Sequence, residues 1–164
     1  MKKTLSILAL ALFSSLALAQ EQPSSAPLFA ATLSDLTDKP VALERYKGKA
    51  LVVNFWARWC GPCRAEIPEL IKFRAAHKGK IEVLGIGIED KAEPAKEFAK
   101  AYEMDYPVFV AKDQGIPLMQ ALGNTKGGLP YTLYIDHNGK VIGKKMGVLK
   151  KPDLDAAAAE LLKN

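Results

Sequence analysis

Residues 50–71 read ALVVNFWARWCGPCRAEIPELI, and this stretch decides how the rest of the chain is interpreted. Its first eight residues, 50–57, are almost all apolar, which is typical of a central β-strand that is covered on both faces. The segment that follows has the apolar spacing of one buried helix face, carried by Cys63, Ile67, Leu70 and Ile71. Between the two lie the only cysteines of the chain, Cys60 and Cys63. The stretch therefore predicts a strand, a C-x-x-C pair and a helix, in that order.

Further strands and helices alternate along the chain. The predicted strands are 28–33 and 41–43, which form an N-terminal hairpin, then 81–88, 107–111, 131–135 and 140–146. The predicted helices begin near Asp90, at Ile116 and at Pro152. Strands separated by helices favour parallel pairing, while Asn138-Gly139 indicates an antiparallel hairpin at the sheet edge. The predicted fold class is α/β with a mixed sheet, in one domain over residues 28–164.

The first residues have the pattern of a secretory signal peptide. A basic Met1-Lys2-Lys3 precedes an apolar stretch from Leu5 to Leu16 and the small-x-small sequence Ala17-Leu18-Ala19. A transmembrane helix needs about 20 apolar residues, so an uncleaved membrane anchor is the weaker alternative. We expect cleavage after Ala19, a flexible Pro/Ser-rich lead-in over residues 20–27, and a periplasmic location.

Composition and charge exclude several classes of partner. The chain has 164 residues, of which 49% are hydrophobic and 25% charged, as expected for a soluble domain. Its formal charge of +5 comes from lysines scattered among acids, which does not predict nucleic-acid binding. A zinc site needs four ligands, and neither His77 nor His137 is placed to join the cysteines. We expect no metal, no cofactor and a monomer.

The spacing of the cysteines favours redox chemistry over a structural crosslink. A bridge between Cys60 and Cys63 closes a loop of only a few residues and so restrains little of the unfolded chain. At a helix start, the sulfur of Cys60 would lie among unpaired backbone N–H groups, which favour a thiolate. We expect Cys60 to be the exposed attacking cysteine and Cys63, one turn later, to be the buried resolving one. Gly61 would allow close approach of a partner backbone, and Pro62 is tolerated in the first turn.

Charged residues near the pair leave two questions open. Arg58 and Arg64 flank the site, where they either favour a thiolate and steer acidic surfaces or are simply solvated. Glu66 follows Cys63 by three residues and projects from about the same helix face. It either exchanges protons with Cys63 or only complements the helix dipole. Spacing alone does not decide between the two roles.

Three motifs can be considered together: FWARWCGPC at residues 55–63, Pro68, and GLPYT at residues 128–132. With them the chain resembles thioredoxin-fold proteins, and more narrowly the exported TlpA/ResA-like thiol–disulfide oxidoreductases. The resemblance implies a thioredoxin-like fold, a central mixed sheet flanked by helices, with an N-terminal hairpin and an inserted strand and helix before a cis-proline, Pro130. It also implies that Glu66 is an active-site carboxylate, and that substrates are bound by Trp59, Gly61, Pro62, Leu129 and Pro130. Plain thioredoxin carries an aspartate where this chain has Asn54.

The expected function is an exported thiol–disulfide oxidoreductase that reduces protein disulfides through Cys60 and Cys63. Gly61-Pro62 is the dipeptide of reducing thioredoxins, which favours the reductant role by resemblance. An oxidising compartment would then require a membrane thiol reductase as electron donor, and cytochrome c maturation is the family's commonest client pathway. The alternatives are a disulfide-donating oxidase, a thiol peroxidase and a non-catalytic binding module on the same fold.

Overall fold

A computed structural model describes residues 23–88 and 91–163. The predicted signal peptide and the first part of the predicted lead-in lie outside the described residues. Ser25 is already buried, with its hydroxyl donating to the carbonyl of Gly139, and a short helix α1 spans Ala26–Ala30. The chain thus packs onto the domain before the predicted lead-in ends. In the part that the structure covers, no helix is both long and apolar enough to cross a membrane.

A seven-stranded mixed sheet forms the centre of the domain, as predicted. Its strands are β1 (Thr32–Asp35), β2 (Pro40–Ala42), β3 (Ala50–Trp56), β4 (Ile81–Gly87), β5 (Val108–Val110), β6 (Tyr131–Ile135) and β7 (Val141–Met146). Their spatial order is β2-β1-β5-β4-β3-β6-β7. Strands β3, β4 and β5 pair in parallel, and every other pairing is antiparallel.

The N-terminal hairpin exists, but its first strand was predicted too early. Residues 26–30 form helix α1 and not the start of a strand, and β1 begins at Thr32. Pro27 occupies the first turn of α1, where its missing N–H costs nothing. Leu28 and Phe29 are both buried, so the alternation expected of a half-buried strand is absent. A short apolar run is ambiguous between the two structures, and here burial favours the helix.

Helices cover both faces of the sheet. They are α2 (Gly61–Ala76), α3 (Ala92–Ala101), α4 (Gly115–Ala121) and α5 (Lys151–Leu161), and two short 3-10 turns lie at Leu43–Tyr46 and Lys112–Gln114. Buried residues of α2, α3 and α5 join one core cluster, and those of α1 and α4 join the other. The stretch before Pro130, in which the resemblance implies an inserted strand and helix, contains α3, then the short strand β5 and helix α4.

Strand β3 organises the part of the fold that carries the cysteines. All seven of its residues are buried, as its continuous apolar sequence predicts. It pairs along its whole length with β4 on one side, and through residues 51–55 with β6 on the other. This register sets Asn54 of β3 directly opposite Thr132 of β6. The strand ends at Trp56, four residues before Cys60, which is the N-cap of α2.

Candidate active site

Cys60 and Cys63 form a disulfide at the N-terminus of α2. Their S–S distance is 2.03 Å and their Cα atoms lie 5.3 Å apart. Cys60 is the N-cap residue, and its Sγ accepts the backbone N–H of Cys63 at 3.2 Å. A hydrogen bond donated to sulfur at the positive end of a 16-residue helix stabilises a thiolate more than a thiol. The local geometry therefore suits Cys60 as a nucleophile.

The two cysteines differ less in exposure than the sequence suggested. Cys63 is 1% exposed, as expected for a resolving cysteine, but Cys60 is only 5% exposed in the disulfide form. The expectation of an exposed Cys60 is wrong for this form, because its sulfur is bonded to Cys63 and accepts the backbone N–H of that residue in the first helical turn. The residues around it supply the accessible surface: Gly61 and Pro62 are exposed, and Trp59 is 70% exposed.

Glu66 is fully buried one helical turn beyond Cys63. Its Oε1 accepts the side-chain N–H of Asn54 at 2.7 Å, and its Oε2 accepts the backbone N–H of Leu149 at 2.6 Å. Burial raises the pKa of Glu66 from 4.5 to about 7, while the hydrogen bonds from Leu149 and Asn54 oppose that rise. A residue that only complemented the helix dipole would gain nothing from burial. The burial of Glu66 therefore argues against the helix-dipole role and leaves proton exchange with Cys63 as the hypothesis.

Asn54 and Thr132 complete the surroundings of Glu66, and sequence reasoning missed this cluster. The same Asn54 nitrogen that donates to Glu66 also donates to Thr132 Oγ1 at 3.0 Å, and both residues are buried. The sequence showed that Asn54 replaces an aspartate of plain thioredoxin, but not what it contacts. An amide within an otherwise apolar buried strand was the available signal.

The loop before β6 reaches Pro130 through a cis peptide bond from Leu129, as the resemblance implies. Pro130 is buried, and its carbonyl accepts the N–H of Gly147 at 2.9 Å. Leu129 is half-buried, and the carbonyl of Gly128 accepts from the side chain of Asn124 at 2.8 Å. Both hydrogen bonds fix the backbone on either side of Leu129.

Two exposed apolar side chains flank this loop and were not predicted as site residues. Met146 is 50% exposed, and its sulfur lies 3.2 Å from the point that a Cβ on Gly128 would occupy. Ile116 is 41% exposed, and its Cδ1 lies 4.0 Å from the corresponding point on Gly127. They come from β7 and α4, so no local sequence pattern connects them. With Trp59 they are three of the four large exposed apolar side chains in residues 23–88 and 91–163.

The remaining candidates lie away from the dithiol or at the surface. His77 caps the C-terminal end of α2, about 24 Å of helix from Cys60, and its ring packs on Phe73. His137 lies in the β6–β7 turn, where it contacts Asn138. Arg58 and Arg64 are exposed beside the cysteines. Their two alternative roles stay open.

A cavity of about 730 Å³ lies between α2 and α5. Its lining includes Phe73, Leu149 and Leu154, with charged residues of both signs around them. None of the predicted site residues lines it. It touches the site only through Leu149, the backbone partner of Glu66.

The sequence of this chain matches a protein family and several known proteins. The Redoxin family profile matches residues 21–161. The chain is similar to the thiol-disulfide oxidoreductase ResA of Bacillus cereus, with 33% identity over 131 residues, which are 79% of this chain and 72% of that protein. ResA of Geobacillus thermodenitrificans is 33% identical over 132 residues, covering 80% and 72%.

Solved structures agree with this similarity. A thiol:disulfide interchange protein of the thioredoxin family from Chlorobium tepidum superposes with a TM-score of 0.71 at 29% identity, over 88% of this chain and 99% of that one. DsbF of Mycobacterium tuberculosis superposes with the same TM-score at 22% identity, over 82% of this chain and 97% of that one, which supports the fold alone. The thioredoxin-like fold predicted from the sequence is confirmed.

Proposed function

Since this chain belongs to the Redoxin family and is a ResA-like thiol–disulfide oxidoreductase, we propose that it reduces disulfides of extracytoplasmic proteins through Cys60 and Cys63. The observation that carries this proposal is the placement of the pair. Cys60 is the N-cap of α2, and its sulfur accepts a hydrogen bond from a backbone N–H. Cys63 is buried one helical turn further along α2. A nucleophile with a resolving partner in this arrangement suits two successive exchange steps.

The reaction begins from the reduced pair. The Cys60 thiolate attacks one sulfur of a substrate disulfide, the substrate S–S bond breaks, and the second substrate sulfur leaves as a thiolate. Cys63 then loses its proton and attacks the Cys60 sulfur of the mixed disulfide. The Cys60–Cys63 disulfide forms as the first substrate sulfur leaves. The substrate gains two electrons and two protons in total, and the enzyme is left oxidised.

Glu66 is the proposed acceptor of the Cys63 proton. Its carboxyl lies on the same helix one turn further on, is fully buried, and has a pKa of about 7. A group that titrates near the working pH can both take up and release a proton. Glu66→Gln should slow resolution of the mixed disulfide and alter its pH dependence, measured by stopped-flow. An unaltered pH–rate profile would remove Glu66 from the mechanism.

The proposed substrate site combines the surface beside the cysteines with the loop that ends at Pro130. Trp59, Gly61 and Pro62 supply exposed surface at the helix start. Leu129 would offer its backbone to an extended segment of the substrate, next to the cis-Pro130. The hydrogen bonds at Gly128 and Pro130 support this role, because they hold the loop backbone in place.

The direction of electron flow and the compartment belong to the same proposal. Residues 1–19 have the pattern of a signal peptide, which supports export, with uncleaved anchoring as the alternative. Gly61-Pro62 supports a reductant, and a reductant in an oxidising compartment requires a membrane thiol reductase to regenerate the dithiol. Cytochrome c maturation is the proposed client pathway.

The redox state of the pair in cells tests this proposal directly. Acid quenching followed by an alkylating mass tag would report the fraction of Cys60–Cys63 that is reduced at steady state. We expect a mainly reduced pair in the exported fraction, shifting to oxidised when the thiol supply is removed. A mainly oxidised pair in growing cells would contradict the reductant role and favour a disulfide-donating oxidase.

A further inference from the structure

We propose that Asn54 is a positioning residue for Glu66: its side-chain amide fixes the buried carboxylate against the sheet and sets the pH range in which that carboxylate carries charge. The inference rests on the proton-exchanging role proposed above for Glu66. It concerns the residue at which this chain departs from plain thioredoxin. Here strand β3 carries the amide and helix α2 carries the carboxylate.

The sheet holds the amide in place. Asn54 on β3 and Thr132 on β6 are paired across the antiparallel ladder, so their separation is fixed by backbone hydrogen bonds. The Asn54 nitrogen donates to Thr132 Oγ1 at 3.0 Å and to Glu66 Oε1 at 2.7 Å. An amide nitrogen has two hydrogens, and both are used. The contact with Thr132 within the sheet therefore orients the Asn54 side chain independently of α2.

Glu66 accepts hydrogen bonds from two different segments of the chain. Asn54 donates to Oε1 from β3, and the N–H of Leu149, two residues before α5, donates to Oε2 at 2.6 Å. Each carboxyl oxygen therefore already faces an N–H donor. A protonated Glu66 would have to place its own hydrogen beside one of these donors. The two contacts therefore favour the ionised form, against the burial that favours the neutral form.

The other titratable groups near Glu66 cannot replace this control. Tyr106, next to β5, and Tyr134, on β6, are buried, and burial raises the pKa of each hydroxyl far above neutral pH, with a smaller contribution from the Glu66 charge. Both are therefore uncharged where Glu66 titrates. Cys63 lies one turn away on the same helix. The pKa of Glu66 is governed by burial, opposed by the donors at Leu149 and Asn54.

Removing the amide should therefore raise the pKa of Glu66. Losing a hydrogen bond to a buried carboxylate raises the pKa of that carboxyl by about one to two units. At pH 7 the ionised fraction of Glu66 would fall from about half to between about one-tenth and one-hundredth in Asn54→Leu. The exchange variant Asn54→Asp/Glu66→Gln keeps one amide and one carboxylate in contact but moves the charge to the strand.

The test is a titration of the Glu66 carboxyl by carbon-13 NMR in the oxidised full chain. We expect Asn54→Leu to shift the midpoint upward by about one to two units. Asn124→Leu is the matched control, because Asn124 is also a buried amide but bonds Gly128 and not Glu66; it should leave the midpoint unchanged. An unshifted midpoint in folded Asn54→Leu would overturn the proposal. Should that variant not fold, Asn54→Ser, whose shorter side chain does not reach Oε1, carries the same test.

Kinetics separate this inference from the role of Glu66 itself. We expect Asn54→Leu to shift the midpoint of the pH–rate profile of mixed-disulfide resolution to higher pH. We expect the exchange variant to show a pH–rate profile with a single ionisation. If Glu66→Gln changes the profile while Asn54→Leu leaves the Glu66 midpoint in place, the positioning role alone is wrong. If Asn54→Leu shifts the midpoint while Glu66→Gln leaves the profile unchanged, positioning stands and the proton-exchange role is wrong.

Discussion

Replacing Glu66 by glutamine should change how the stability of the oxidised protein depends on pH. Burial raises the pKa of Glu66 from 4.5 to about 7, so the folded state binds this proton more tightly than the unfolded state. The resulting stabilisation is fully present below about pH 4.5, decreases above it, and is lost once the pH has risen through about 7. Glutamine does not titrate, so the variant lacks this dependence.

The size of the effect follows from the shift. A rise from 4.5 to about 7 is about 2.5 units, and at about 1.4 kcal/mol per unit it corresponds to about 3.5 kcal/mol, most of which falls between pH 4 and pH 8. Relative to wild type, Glu66→Gln should therefore gain about 3 kcal/mol of unfolding free energy between pH 4 and pH 8. The assay is urea denaturation of both oxidised proteins at several pH values in this range.

A matched control lies on the same helix. Glu69 is partly exposed and pairs with Lys72 at 2.8 Å, so Glu69→Gln removes the same charge from a solvated position. Its effect on the free energy of unfolding should stay within about 1 kcal/mol. If the difference between wild type and Glu66→Gln changed by less than about 1 kcal/mol from pH 4 to pH 8, the raised pKa of Glu66 would be refuted.

Two further predictions concern packing and substrate contact. Gly115→Ala should lower the free energy of unfolding by about 1–3 kcal/mol in urea denaturation, because the added Cβ would lie 3.2 Å from the backbone Cα of Ile88. Gly61→Ala, whose Cβ would meet only a side-chain atom of Arg64 at 3.8 Å, should stay within about 0.5 kcal/mol of wild type; equal losses would contradict the packing argument. Met146→Lys should raise KM several-fold for a protein disulfide and leave the rate with hydroxyethyl disulfide unchanged, because only the larger substrate reaches the apolar surface beside Gly128. If Met146→Lys impaired the reaction with both disulfides equally, Met146 would affect the exchange reaction itself and not the binding of the protein substrate.

The elements around the cysteines could be predicted because their signals are local. The continuous apolar run of 50–57 predicts a buried central strand, and the spacing after Cys63 predicts the buried face of α2; both are observed. Asn138-Gly139 predicts the turn between β6 and β7, which is also observed. The run at Leu28 and Phe29 was too short to separate a helix from a strand, and there the prediction was wrong.

The surroundings of Glu66 could not be predicted, because they depend on packing between distant segments. Asn54 meets Thr132 through the register of β3 with β6, and Leu149 reaches Glu66 from 83 residues away. Spacing placed Glu66 one turn from Cys63 but did not show that it is buried. The low exposure of Cys60 likewise depends on the direction of its sulfur, which spacing does not specify.

The central claim is that Cys60 attacks protein disulfides and Cys63 resolves the mixed disulfide. The most direct measurement is to express Cys63→Ala in full-length form, quench with acid, and identify proteins covalently joined to Cys60 on non-reducing gels. We expect reducible adducts joined to Cys60 that wild type does not accumulate and that Cys60→Ala does not form. Absence of adducts in Cys63→Ala, or equal adducts on Cys63 in Cys60→Ala, would contradict it.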